Sequence, residues 1–195
     1  RLVSEGYHCL IIDSLNPSYG GNLFNIRDIA DNSQVKVNIS DIRDLHSLKI
    51  LLKDAELIFN MAGQTSHMDS MSDPYTDLAI NSHAQLSLLE TCRELAPDAR
   101  IIFASTRQIY GKPQYFPVDE KHPLVPVDVN GINKLAGEGY HLLYSRVYNI
   151  KASVLRLTNT YGPRMRIKDA RQTFLGIWIK RLLSGEQFEV WGGDQ

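Results

Sequence analysis

The feature that most constrains this chain is the regular exchange of short apolar runs with longer, helix-patterned segments. Residues 100–104 are apolar at every position after Arg100, the composition expected of a strand covered on both faces. Shorter strand-like runs occupy residues 7–12, 34–37, 56–61, 152–157 and 188–191, the last ahead of a Gly192-Gly193 turn. Glu5-Gly6, just before the first run, reads as a helix end. Apolar residues recur at helical spacing over 44–53, 73–95, 128–147 and 172–183. The second of these helices has a clear start, with Asp73 as cap and Pro74 at the first helical position. In the third, Ile132, Leu135, Ala136, Leu142, Leu143 and Val147 form one apolar side, predicting that this side meets the core. Strands alternating with helices predict an α/β fold with a doubly wound parallel sheet. Pro113, Pro117, Pro123 and Pro126 punctuate a long irregular connection, and such loops tend to be functional.

Composition excludes several classes of function. Lysine and arginine total 21 against 22 acidic residues, a net charge of −1, so no electrostatic footprint for nucleic acid is present. No apolar run reaches the ~20 residues of a membrane span. Cys9 and Cys92 lack a CxxC or histidine partner, and His8, His46, His67, His83, His122 and His141 show no ligand spacing, so no metal is expected. A reducing, cytoplasmic setting follows as the default. The G-x-S-x-G nucleophile motif is absent.

In open α/β sheets ligands sit at the C-terminal ends of strands. The residues to weigh are therefore Asp13, Ala62-Gly63, Ser105-Thr106 and Thr158-Asn159. Asp13 could accept hydrogen bonds from both hydroxyls of an adenosine ribose, or simply cap a turn. Ala62-Gly63 would let a cofactor approach the backbone, or form a tight turn. Asp41 could meet an adenine amine, although its spacing favours capping the helix that starts near Asp44. A hydroxyl at Ser105 or Thr106 could polarise a substrate oxygen, though both residues are common at strand ends. Asn130 and Lys134 lie one helical turn apart, opposite the apolar side, where a solvated face is the plainer reading and Glu138 could pair with the lysine.

Taken in order, these motifs resemble the extended short-chain dehydrogenase/reductase family, in its nucleotide-sugar epimerase and dehydratase branch. The likeness is carried by Ile12-Asp13, by Ser40-Asp41-Ile42-Arg43-Asp44, by Asn60-Met61-Ala62-Gly63-Gln64, and by Ser70-Met71-Ser72-Asp73-Pro74 with Asn81. It continues through residues 103–111 (Phe-Ala-Ser-Thr-Arg-Gln-Ile-Tyr-Gly), residues 133–138 (Asn-Lys-Leu-Ala-Gly-Glu) and residues 155–164, which end in Thr-Tyr-Gly-Pro-Arg. The resemblance implies a Rossmann-like fold, bound NAD and a nucleotide-sugar substrate. It implies that Asp13 holds the adenosine ribose, that Asp41 and Ile42 flank the adenine, and that Met61, Ala62 and Gly63 line the path of the cofactor with Asn81 beneath. Ser105, Lys134 and Thr158 complete the implied cofactor site. Thr106 takes the catalytic hydroxyl position and Lys134 that of the active-site lysine. Thr106, Gln108 and Asn159 are expected to meet the sugar nucleotide.

Three departures shape the expectations. The family's glycine-rich phosphate loop and first strand belong before Arg1, and most of its substrate domain belongs after Gln195. The chain is therefore expected to be part of a longer protein, with a partial NAD-binding domain over residues 1–164 and the start of a substrate-binding region over 165–195. The third departure is Asn130, which stands where the family's Tyr-x-x-x-Lys has its tyrosine. An amide cannot take a proton at neutral pH. An NAD-dependent epimerase or related oxidoreductase is the favoured reading, with Thr106, Lys134 and Asn130 as the catalytic group. The alternative is a nucleotide-sugar binding protein of the same fold with little turnover. Arg107 and Gln108 supply no carboxyl group after Thr106, which argues against 4,6-dehydration. The family's usual homodimer, packed through two long helices per subunit, is the expected assembly.

Overall fold

The computed structural model describes residues 1–168 and 174–189. It divides into two compact units, Arg1–Thr158 and a second from Asn159 onward.

The first unit carries five parallel strands. β1 (Cys9–Asp13) pairs with β2 (Val35–Ile39), with Cys9 opposite Val35 and Asp13 opposite Ile39. β3 (Leu57–Asn60), β4 (Arg100–Thr106) and β5 (Lys151–Leu157) form a second sheet in the order β3-β4-β5. Hydrogen bonding thus groups the strands into two sheets. Both lie on one core: Ile12 of β1, Ile58 of β3 and Ala152 of β5 pack against a cluster containing Leu48, Leu88, Leu89, Cys92, Ile101 and Tyr144.

Four of the helices, α1, α2, α3 and α5, each start where a side chain takes up orphan N–H groups. α1 (Leu45–Leu51) is capped by Asp44, whose Oδ1 accepts from the amides of His46 at 3.1 Å and Ser47 at 3.2 Å. This corrects the assignment of that cap to Asp41, which lies too far upstream and is taken by Arg43 instead. α2 (His67–Ser72) is a short helix that sequence periodicity did not reveal, begun by Ser66. Asp73 caps α3 (Pro74–Leu78) through the Thr76 amide at 3.1 Å, as predicted. The expected single helix over 73–95 is interrupted by a π-helical segment, Ala79–His83, before α4 (Ala84–Leu95). Such segments insert one extra residue per turn and are frequent at functional sites.

α5 (Val129–Tyr148) is capped by Asp128 and closed by Asn149 in the left-handed conformation, φ 59°. Its orientation corrects the sequence reading. The buried side carries Asn130, Asn133, Lys134, Glu138 and His141, while Ile132, Leu143 and Val147 are exposed. The polar side turns inward because it finds charged and amide partners on α3, β4 and β5, described below. Satisfied in this way, polar groups can be buried without the usual penalty.

In the second unit the aromatic residues of α6 (Phe174–Leu183) pack on each other and on Phe188 beyond it, with Phe174 and Trp178 ring centres 4.6 Å apart and Trp178 and Phe188 5.8 Å apart. The start predicted for this helix at 172–173, the end of the strand predicted over 188–191, and the Gly192-Gly193 turn lie outside the described residues. Phe188 and Glu189 are not in a strand. No helix among the described residues is long and apolar enough to cross a membrane, and no group of three or more His, Cys, Asp or Glu among them could hold a metal.

Candidate active site

The C-terminal ends of β3 and β4 converge on Lys134. This side chain is 6% exposed, and its Nζ donates to the carbonyl of Ala104 at 3.1 Å while lying 5.0 Å above the ring of Phe103. Gly63 completes the enclosure. A Cβ at that position would stand 2.7 Å from Lys134 Nζ and 2.9 Å from Asn81 Oδ1, so any larger residue would push one of these side-chain ends away. Burial pushes the lysine down to about 8, against the attraction of Asp77.

A network of amides lies beside the lysine. Asp77 is fully buried and accepts from Asn81 Nδ2 at 3.0 Å, Asn130 Nδ2 at 2.9 Å and Asn133 Nδ2 at 2.8 Å. The Gln64 carbonyl accepts from Asn81 at 2.9 Å and from Asn130 at 2.8 Å. Asn130 is thus turned to Asp77 and the Gln64 backbone, in a site closed to solvent. Asn81 Oδ1, by contrast, is buried and takes no hydrogen bond among the described residues.

The two hydroxyls that end β4 face different ways. Ser105 is buried and donates to Glu138 Oε2 at 3.0 Å. Glu138 also receives the guanidinium of Arg156, as close as 2.5 Å, which ties β4, α5 and β5 together. Thr106 Oγ1 accepts from the Gln108 amide at 3.3 Å and so starts the 3₁₀ turn Arg107–Tyr110 that carries Gln108. Ser105 is thereby occupied structurally, whereas Thr106 is half-buried at the strand end.

A second locus opens beyond β1 and β2. Ser14, Leu15, Asn16, Pro17, Ile39, Ser40 and Asp41 line a recess of about 460 Å³. Asp13 stands next to it, with Oδ1 accepting the Leu15 amide at 2.7 Å; among the described residues its Oδ2 takes no hydrogen bond. Asp41 is bound at both oxygens by Arg43, at 2.9 and 2.7 Å, and its carboxyl is held below the usual range chiefly by that guanidinium. Ile42 packs against the hydrophobic core. Met61 is half exposed at the end of β3, and Thr158 follows β5 on the surface. Asn159 belongs to the second unit.

The structure therefore gathers Gly63, Asn81, Asn130 and Lys134 beside the end of β4, and sets Asp41 in the lining of the recess beyond β1 and β2, with Asp13 at the strand end just before its lining begins. Asp77, Asn133 and Gln64 were not foreseen as members of the site. For Asp77 a signal was present as a polar stripe at i, i+4 and i+8 on Asp77, Asn81 and Gln85, facing Asn130, Lys134, Glu138 and His141 of α5; Gln64 and Asn133 lie outside both stripes.

Parallel strands alternating with helices, with small residues at the C-terminal strand ends, make this a Rossmann-like α/β fold. The chain belongs to the NAD dependent epimerase/dehydratase family, whose sequence model matches residues 1–195. It is 30% identical over 193 residues to the UDP-glucose 4-epimerase of Mycolicibacterium smegmatis, covering 98% of this chain and 60% of that protein. Among solved structures it resembles UDP-glucose 4-epimerase of Thermotoga maritima with UDP-glucose, at TM-score 0.88, 28% identity, and coverage of 98% of this chain and 60% of that one. It also resembles UDP-glucuronic acid 4-epimerase of Bacillus cereus in complex with UDP-glucuronic acid and NAD, at TM-score 0.85, 26% identity, and coverage of 98% and 60%. The chain spans about 60% of the length of these relatives.

Proposed function

We propose that the chain forms the nucleotide-binding part of an NAD-dependent epimerase acting on a nucleotide-activated sugar. The observation that carries this reading is the meeting of Lys134, Gly63 and Asn81 beside the end of the strand that presents Thr106. The residues present fit a dinucleotide. Asp13 offers Oδ2 to an adenosine ribose beside a recess of about 460 Å³, and its charge repels a 2′-phosphate, which favours NAD over NADP. Asn81 Oδ1 is a buried acceptor without a partner, suited to a ribose hydroxyl or to a water bridging to one. Bound NAD would supply the hydride acceptor for oxidation of a sugar hydroxyl and return the hydride afterwards.

The chain's own residues then have distinct tasks. Lys134 holds a positive charge at the end of β4. Thr106 can hydrogen-bond a sugar hydroxyl while Oγ1 stays anchored by the Gln108 amide. Asn130 cannot take the proton that leaves the sugar. Arg107 and Gln108 provide no acid to expel a hydroxyl, so the reading is epimerisation and not 4,6-dehydration. The homodimer and the roles of Asn159 and Thr158 toward substrate and nicotinamide belong to the same proposal.

The specific observation favouring a binding protein of low turnover is that the Asn130 amide is committed to Asp77 and Gln64. One experiment separates the readings. The full-length protein is incubated with NAD and UDP-, GDP-, CDP- and dTDP-sugars, and products are resolved by chromatography while nicotinamide absorbance is followed. An epimerised sugar nucleotide is the expected result. Confirmed NAD and sugar-nucleotide binding with no product from any sugar would replace the enzyme by the binding protein.

A further inference from the structure

We propose that Asp77 is the counter-charge that keeps the buried Lys134 side chain protonated, acting across Asn81 and held in place by the amides of Asn130 and Asn133. Asp77 is a positioning residue in this role. Neither the family's cofactor contacts nor the catalytic hydroxyl includes it.

The geometry has three parts. First, Asp77 is fully buried and receives three side-chain amides at 2.8 to 3.0 Å, an arrangement that stabilises a carboxylate away from water. Second, Asn81 adjoins the acid and shares the space above Gly63 with the lysine. Its Nδ2 donates to Asp77, while its Oδ1 and Lys134 Nζ both stand within 3 Å of the same point above Gly63. The amide dipole therefore has its negative end on the lysine side and its positive end on the carboxylate. Third, the other charged groups near Lys134 on its own helix and on β5 are already matched. Glu138 is bound by Arg156 and Ser105, and burial together with the lysine's own charge pushes His141 down to about 4, leaving it neutral. From β4 the lysine meets the Phe103 ring and the Ala104 carbonyl, neither of which carries a charge. Asp77 is thus the acid left to offset its burial, consistent with the lysine falling no further than about 8.

The consequence concerns the proton that Asn130 cannot take. A lysine held as ammonium at neutral pH is a donor and an electrostatic anchor, not a base, so the proton must leave by Thr106 and water or by another part of the protein. This consequence rests on the epimerase reading; the charge of Lys134 does not.

The test reads that charge directly, without cofactor or sugar. The full-length protein is labelled with [ε-¹³C]lysine, the Lys134 resonance is assigned by its loss in Lys134→Arg, and its titration is followed by NMR. In the unmodified protein the midpoint should lie near 8 or above. A midpoint at ~5–6, as for buried lysines without a counter-charge, would overturn the proposal. Asp77→Asn should lower the midpoint by about one pH unit or more, and Asp77→Glu should largely restore it. An unchanged midpoint in a folded Asp77→Asn protein would also overturn it. If that variant does not fold, the titration of the unmodified protein decides alone. A failed search for epimerase activity leaves this result standing, and a failed titration leaves the epimerase reading standing.

Discussion

At the scale of single residues, the site depends on amides that replace one another's water. Asn130 donates to Asp77 and to the Gln64 carbonyl, both closed to solvent. Asn130→Ala should therefore destabilise the protein by ~1–3 kcal/mol, because two buried acceptors each lose a donor. Combined with Asp77→Asn the two losses should not add, since the residues share one network, and urea unfolding of the four proteins measures the coupling. Additive losses would mean that the contact carries no weight. His141 makes a second, pH-dependent contribution. It stacks on Phe103 at 4.2 Å between ring centres, and its Nδ1 lies 2.7 Å from the Gly137 carbonyl. Burial lowers it from 6.5 to about 4, so the unfolded chain binds its proton first as pH falls. The stability from its neutral form is complete above pH 6.5 and lost through pH 4, up to about 3 kcal/mol at ~1.4 kcal/mol per unit. Unfolding midpoints measured from pH 7 to 4 should fall less steeply in His141→Gln. Little of this was legible in the sequence. The Asn-x-x-x-Lys spacing placed Asn130 and Lys134 on one face, but nothing in one dimension says which acceptor an amide will find sixty residues away.

At the scale of elements, caps and strands were legible and orientation was not. Asp73-Pro74, Asp128 and the apolar run of β4 are local signals, and each falls where local chemistry put it. The facing of α5 is not local. Its apolar residues suggested the buried side, yet the structure turns Asn133, Lys134 and Glu138 inward because α3, β4 and β5 present partners for them. Periodicity records that a helix has two unlike sides, and the tertiary partners decide which is inside. The interior contact of α5 is also close. A Cβ on Gly137 would stand 2.8 Å from the backbone oxygen of Asn81 and 3.1 Å from Phe103 Cζ. Gly137→Ala raises helix propensity by ~1 kcal/mol, but backbone cannot yield to the added methyl. Overpacking of this kind costs about 1–3 kcal/mol, so a net loss is expected in thermal unfolding, together with weaker NAD binding as the Asn81 segment is displaced. A more stable Gly137→Ala protein would show that α5 can move away from the π-helical segment freely.

At the scale of the whole molecule, the inverted facing of α5 leaves an outward apolar stripe. Ile132, Ala136, Gly139, Leu143 and Val147 follow one another at spacings of four, three, four and four, the rhythm of a helix that packs on another helix. Ile132, Leu143 and Val147 are between 50% and 60% exposed, and a Cβ on Gly139 would meet nothing within 4 Å. A glycine in mid-helix with open space around it costs ~1 kcal/mol relative to alanine and brings no internal packing in return. Close approach of a second backbone would account for it, and a second copy of the same helix presents the same small residue at the same height. Two substitutions in the full-length protein decide between a solvent face and an interface between copies. Leu143→Glu should shift the protein toward monomer in sedimentation velocity, because a charge would be buried against its own symmetry mate. Gly139→Ala distinguishes the cases by sign. On a solvent-facing helix it should raise stability by up to ~1 kcal/mol at every protein concentration. At a close helix crossing it should weaken association, with a dissociation constant raised about tenfold and a thermal midpoint that falls most at low concentration. The second outcome is expected, and a concentration-independent gain in stability would remove α5 from the interface.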